Sequence, residues 1–543
     1  MRIALVNPIS RRTQGYHTVG TYIPQLGLQV LAQLTPDGHQ VDIVDEVFGP
    51  AYTDSQLTRD RYDLVGVTAY TSGATRAYEI AAACRARGIQ TIIGGPHASA
   101  CPDEAARRFD AVAVGECDEI WPQIVRDAAA GRLRPRYDGS LPDLDRAGIG
   151  GAAQGLTPVN GRYDVSALQT SRGCPVGCEY CSVTKFNGAP IRRRRIDDIV
   201  NEWNATPRNF IFVVDDNFFG VGEKHAVWAK ELLRELIRRG KKRLWFSQTT
   251  INMGDDAEGL RLAYQAGCRG MLVGFETFSA ESLKDYSKGI NRKNLARYQE
   301  LVDNFHKAGI AIFGGFIIGS DHDTPETVAA TALAAVRLGV DIIQVTNLTP
   351  LPGTKMFDRF EAERRIFATD RPVDWERYTF TETVYKPKRM TARELDEAIY
   401  ELRYAAAQER WVLKRAFRTL WRTRSLTTAA FVLGMNRGWK RMARIQAPND
   451  ARNFGFLPRS DTPRYRLVRD AFRMHLTSRW AANGLPDTNG NGQDSAAAPL
   501  PDCDTPADVI TTADATGIVR EPVDSEAGGT RLPVMSAPSG SQR

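Results

Sequence analysis

The sequence predicts an α/β chain in three parts: a doubly wound, Rossmann-like amino-terminal domain, a partial (β/α)6 barrel of the TIM type, and a helical carboxyl-terminal region. Three observations carry this. Short apolar, β-branched runs alternate with helical stretches over residues 1–130. The alternation resumes over 166–360, and from 361 to 482 the pattern turns helical and basic. Apolar strands separated by helices are what a parallel sheet covered on both faces requires, because each strand is buried on two sides.

In the first part, "RIALVNP", "QVDIVDE", "DLVGVTAY", "QTIIGGPH" and "DAVAVGE" read as about five strands, with "PQLGLQVLAQL" and "RAYEIAAACRARG" as helices between them. Ligands of such sheets sit outside the carboxyl ends of the strands. The turns there hold "TAYTSG" (68–73), "GGPHAS" (94–99) and "VGE" (114–116), a candidate site for something large and flat. Residues 131–165 are rich in Gly, Pro, Asp and Arg without apolar period and read as a linker. In the second part, "SALQTS", "NFIFVVDD", "RLWFSQTT", "GMLVGFET", "AIFGGFIIG" and "DIIQVTNLTP" read as six strands, and helices between them end at glycines. Polar residues at each strand's carboxyl end place any chemistry at that rim.

The third part alternates Trp411, Leu413, Phe417, Trp421 and Phe431 with Arg and Lys, as on an amphipathic surface. The favoured reading is a helical subdomain closing the barrel; a membrane surface or an amphiphilic substrate is the alternative. Residues 483–543 are dominated by Gly, Ser, Ala, Pro and Asp and read as a disordered tail. The net charge of +7 is modest for 543 residues and makes no case for nucleic acid. The amino terminus lacks a signal-peptide pattern, and no apolar run approaches the roughly 20 residues that span a bilayer. The expected compartment is the cytoplasm, where a local cysteine cluster reads as a metal or redox site rather than a disulfide framework.

Such a cluster exists in "LQTSRGCPVGCEYCSVTKF", residues 168–186, where Cys174, Cys178 and Cys181 are spaced C-x3-C-x2-C and Gly173 and Gly177 supply a permissive backbone. A structural zinc site would need a fourth ligand nearby, and no further Cys or His follows until His225. The competing reading is a four-iron, four-sulfur cluster with three cysteine-bound irons and one open iron. Cys84, Cys101, Cys117, Cys268 and Cys503 are scattered singly and receive no catalytic role.

The loop, with Tyr180 just before its last cysteine, resembles the signature of the radical S-adenosylmethionine (SAM) enzymes. The resemblance implies that the open iron chelates SAM and that one electron cleaves it to methionine and a 5′-deoxyadenosyl radical. The electron donor would be a protein such as flavodoxin or ferredoxin. It also implies parts for rim residues: Asp216 in "VVDDNFF", Ser247 and Gln248 ending the third strand, Glu276 in "GFET", and Ile317 and Gly319 in "GFIIG". Lys288 and Arg292 are candidates to neutralise the SAM carboxylate, with a solvated basic helix end as the rival reading.

The first part resembles the cobalamin-binding domain that precedes the barrel in one large subgroup of these enzymes, which implies cobalamin contacts at Thr68, Ser72, Gly94, Gly95, His97, Gly115 and Glu116. The chain lacks Asp-x-His-x-x-Gly, so His97 is expected to hydrogen-bond backbone or cofactor rather than ligate cobalt. The resulting expectation is an enzyme that holds a 4Fe-4S cluster, SAM and cobalamin and methylates an unactivated carbon of a small-molecule or lipid-like substrate. A cobalamin-dependent cyclase or oxidase is the alternative within the class, and a non-catalytic metal-binding scaffold the alternative outside it.

Overall fold

The computed structural model describes residues 1–10, 23–48, 62–146, 150–152, 163–454 and 466. The first sheet is parallel throughout and contains β1 (Arg2–Asn7), β2 (Gln40–Asp45), β3 (Leu64–Thr68), β4 (Gln90–Gly94), β5 (Ala111–Val114) and β6 (Arg136–Asp138). Its order, β2-β1-β3-β4-β5-β6, reverses direction beside β1. That reversal opens a crevice between β1 and β3 where a doubly wound sheet receives its ligand. The strands are apolar on both faces because both are covered: Ile3, Leu5 and Ile92 pack under Trp121 and Ile124, while Val65, Val67 and Ile93 pack under Ala77 and Ile80.

Two boundaries differ from the sequence reading. The stretch 131–165 is more than a linker, since Arg136–Asp138 forms the sixth strand of this sheet. Three residues flanked by Pro and Gly carry too little period to signal a strand; Tyr137 is buried there against the first core. Residues 361–390 are largely irregular and not part of a helical subdomain. They lie across the first domain, with Trp375, Tyr378 and Val384 in its core and Trp375 Nε1 donating to Glu104 at 3.0 Å. The tail 483–543 lies outside the described residues.

The second sheet is the barrel. It contains β7 (Ser166–Leu168), β10 (Phe210–Val213), β11 (Leu244–Thr249), β12 (Cys268–Glu276), β13 (Ala311–Ile318) and β14 (Ile342–Asn347), paired in chain order and all parallel. A short antiparallel pair, β8 (Ser171–Arg172) and β9 (Arg192–Arg193), brackets the cysteine loop. Period-two alternation sorts the side chains. Trp245, Met271, Val273 and Ile312 face the covering helices, while Phe212, Phe246 and Phe313 face the interior.

The interior is closed at the strands' amino-terminal end by the helix Leu426–Phe454, whose Phe431, Val432 and Met435 pack on Phe246, Ala311, Phe313 and Ile342. Gly270 makes room for it, because a Cβ there would overlap the Phe431 ring. The barrel is therefore plugged at one end and open only at the rim that bears the cysteine loop. No helix among the described residues is long and apolar enough to cross a membrane.

Candidate active site

The cysteine loop leaves β8 at Gly173, where φ is +100° and a Cβ would overlap the Pro190 carbonyl oxygen; only glycine fits. Two consecutive carboxylates after β10 hold its entry. Asp215 is fully buried and accepts from the Thr170 and Ser171 backbone N–H groups at 2.6 and 3.1 Å, and from both hydroxyls. Asp216 Oδ2 accepts from Gly173 N–H at 2.8 Å and from Asn187 Nδ2 at 2.9 Å. Burial pushes both carboxyls above the usual range, and these hydrogen bonds pull them back toward it. The pair thus fixes the loop.

Cys174, Cys178 and Cys181 are free and partly buried. Burial raises all three thiols, Cys181 to about 12, and a single cation, Lys288, counteracts the rise at each. Its Nζ is 2.6 Å from Glu276 Oε1 and 3.5 Å from the Tyr180 hydroxyl. Burial alone would lower the Lys288 ammonium; Glu276, together with Cys178 and Cys181, outweighs it and the net shift is upward. Glu276 itself sits at φ +65°, at a register shift where Gly274 faces Gly315 and Glu276 faces Phe316. A side chain held in that left-handed region costs on the order of 1–3 kcal/mol, a strain characteristic of functional sites. Gly274 leaves the space its carboxylate fills: a Cβ there would overlap Glu276 and come within 3.1 Å of Lys288 Nζ.

Among the described residues no three His, Cys, Asp or Glu side chains are gathered as ligands to one metal ion. A cubane cluster asks for something else, since each thiolate holds a different iron. Three free thiols in a preformed loop beside a buried ammonium suit such an anionic group.

A cavity of about 730 Å³ opens at the carboxyl ends of β1, β3, β4 and β5 and is completed by the barrel mouth. Thr68, Ser72, Gly94, Gly95, Gly115 and Glu116 line it from the first domain. Asp216, Gln248, Leu272 and Gln344 line it from the barrel, and Ser182, Val183 and Phe186 from the turn after Cys181. A Cβ at Gly94 would meet nothing nearer than 3.8 Å, so a ligand can approach that backbone. Tyr70 projects into the space with 48% of its surface exposed. The size, the glycine wall and the position at the strand reversal suit a flat cofactor such as cobalamin.

Several residues that the resemblance implies also have partners within the fold, and others stand away from the cavity. His97 is fully buried behind the cavity, its Nε2 2.8 Å from the Tyr78 hydroxyl, which in turn donates to Glu104. Both Glu116 oxygens are engaged by arginines: Arg172 Nη1 at 2.6 Å and Arg192 Nη2. Asp118 joins them at 2.7 Å from Arg172. Gly95 and Gly115 are glycines for the fold's own sake, since a Cβ would lie 2.6 Å from Thr68 Oγ1 and 3.0 Å from the Gly139 carbonyl oxygen respectively.

In the barrel, Ser247 lies on the helix-covered face, buried, and donates to the Val213 carbonyl at 2.7 Å. Strand parity turns it away from the rim and turns Gln248 toward it. Arg292 is exposed to solvent. Gly319, at φ +114°, makes room for the Tyr385 hydroxyl, which donates to its carbonyl. Tyr180, Glu276 and Ile317 do gather beside the loop: Tyr180 packs edge-on against Tyr286 at 5.2 Å, and Ile317 belongs to the same cluster. Sequence reasoning missed the Arg172–Glu116–Asp118–Arg192 network, whose partners are 54 to 76 residues apart and leave no local signal.

A doubly wound domain over the open end of a plugged parallel barrel, with three cysteines at the junction, defines an enzyme of the radical SAM class. The family description B12 binding domain matches residues 15–125, and Radical SAM superfamily matches residues 168–335. The chain is 31% identical over 386 residues to bacteriochlorophyllide d C-8(2)-methyltransferase of Chlorobaculum tepidum, covering 67% of this chain and 81% of that one. It is 28% identical to the C-12(1)-methyltransferase of the same organism, covering 76% and 88%. The fold is also that of TsrM, a radical SAM methyltransferase from Kitasatospora setae solved with cobalamin and a [4Fe-4S] cluster, at a TM-score of 0.54 and 21% identity over 67% of this chain and 75% of that one. The chain belongs to the cobalamin-binding radical SAM enzymes, and its cofactors are a 4Fe-4S cluster, SAM and cobalamin.

Proposed function

We propose that this enzyme methylates an unactivated carbon of a small-molecule substrate, lipid-like ones included, with electrons delivered in the cytoplasm by a donor such as flavodoxin or ferredoxin. The observation that carries the reading is the shared cavity, into which the glycine wall of the first domain and the barrel's Gln248, Leu272 and Gln344 both open. Bound there, SAM and the cluster would supply the radical chemistry that activates a C–H bond, and cobalamin would supply the methyl group. The chain's own residues hold and exclude. Cys174, Cys178 and Cys181 would hold the cluster, and Tyr180, Asp216, Gln248, Glu276 and Ile317 would face SAM. Thr68, Ser72, Gly94 and Tyr70 would face cobalamin. The aromatic floor of Phe212, Phe246 and Phe431 keeps water from entering through the barrel's other end.

The test needs no knowledge of the substrate. Reduced protein reconstituted with iron, sulfide and cobalamin and incubated with SAM is expected to form both S-adenosylhomocysteine and 5′-deoxyadenosine. Deoxyadenosine alone favours ring-forming or oxidative chemistry; neither nucleoside, from protein with a reducible cluster, overturns the proposal. Gly274→Ala, which displaces the Glu276 carboxylate from Lys288, is expected to lower deoxyadenosine formation on the order of a hundredfold. Its iron content should be unchanged, as measured on the same samples, because the cysteine loop does not rest on Gly274.

A further inference from the structure

The helix Glu409–Thr423 carries an apolar face that the fold leaves in solvent. Leu413, Phe417 and Trp421 recur every four residues and are 47%, 56% and 64% exposed; Leu426, just beyond the helix, is 75% exposed. The opposite face is buried, with Val412 in the interior, Arg418 Nη1 donating to the Val336 carbonyl at 2.6 Å and Thr419 donating to Asp341. Arg410 and Arg424 bracket the exposed stripe, and both are exposed. From 409 to 441 the chain has nine Lys and Arg and one acidic residue, Glu409, which is held by Arg437 at 2.9 Å and Lys440 at 2.7 Å.

We propose that this stripe docks the enzyme on an anionic lipid bilayer, with Leu413, Phe417, Trp421 and Leu426 entering the interface and the arginines meeting the headgroups. An apolar face with Trp and Phe, rimmed by cations, is the chemistry of an interfacial helix. Charge and position select this occupant over others. A second copy docking face to face would set two strongly cationic surfaces together. Nucleic acid leaves the aliphatic Leu413 and Leu426 without a partner. An acidic electron carrier would be at the wrong end: Val336 lies in the last turn of the helix before β14 and Asp341 immediately precedes that strand, so the stripe lies at the barrel's amino-terminal end, away from the cysteine loop. Docking there leaves the cavity mouth unobstructed.

The experiment is co-sedimentation of the full chain with vesicles of phosphatidylcholine alone or mixed with phosphatidylglycerol. The wild type is expected to sediment with the mixed vesicles, less so as salt rises, and only weakly with phosphatidylcholine. Phe417→Ser combined with Trp421→Ser should weaken binding on the order of tenfold or more, and Arg410→Gln with Arg424→Gln should remove the preference for the anionic lipid. Both pairs are on the surface, and an unchanged thermal midpoint with retained cobalamin establishes that they fold. Wild-type protein that stays in the supernatant overturns the proposal, as does a serine pair that sediments like wild type. Self-association or nucleic-acid binding that the serine pair abolishes, without lipid binding, overturns it in favour of those partners.

Discussion

Replacing Cys174, Cys178 and Cys181 together by alanine is expected to abolish iron binding and 5′-deoxyadenosine formation while leaving cobalamin retention intact. The two halves of that result follow from how the loop is built. Its shape rests on backbone and carboxylate contacts that use no sulfur: Asp215 on Thr170 and Ser171, Asp216 on Gly173, and the Cys174 backbone N–H on the Gly188 carbonyl at 3.1 Å. Removing the thiols therefore removes ligands without removing the scaffold. The cavity wall that would face cobalamin belongs to the first sheet, on the other side of the junction. Anaerobically reconstituted wild type should hold roughly four irons and four sulfides per chain, and the triple variant essentially none, by iron and sulfide analysis and by loss of the visible charge-transfer absorption. Wild type that takes up zinc and refuses iron, or a triple variant that still binds iron, would overturn the assignment.

How far the sequence reveals this protein depends on how local each signal is. The cysteine loop is legible because its ligands lie within eight positions and its glycines are where the chain must turn. The two parallel sheets are legible because strands buried on both faces must be continuously apolar. Residues whose roles are set by distant partners are not. Gly319 reads as a cofactor glycine, but the atom it avoids is the hydroxyl of Tyr385, 66 residues on. His97 reads as a loop residue near a ligand, but Tyr78, Glu104 and Trp375 place it in a buried wall between the first domain and residues 361–390. Ser247 and Gln248 look equivalent in sequence, and parity separates them: one faces helices, the other the cavity. The basic, aromatic carboxyl-terminal segment divides in the same way. Phe431 fills the barrel because Gly270 admits it, whereas Phe417 and Trp421 stay outside.

Arg172→Met is expected to destabilise the protein by about 3–5 kcal/mol, because it leaves carboxylates buried without their main counter-charge. Arg172 is buried between Glu116 and Asp118. Burial alone would lower its guanidinium; Asp118 and Glu116 outweigh this and raise it, so the charged triad is mutually dependent. Methionine preserves much of the side-chain volume, which isolates the electrostatic cost from a cavity cost. Arg192 still reaches Glu116, so the larger penalty falls on Asp118. Adding Asp118→Asn should recover a large part of the loss, since a neutral amide needs no counter-charge. The thermal midpoint of the apo protein measures the loss and its recovery, and cobalamin retention reports whether the domain junction survives. A midpoint for Arg172→Met equal to wild type at neutral pH would mean that the network is solvated in solution and does not clamp the cysteine loop to the first domain.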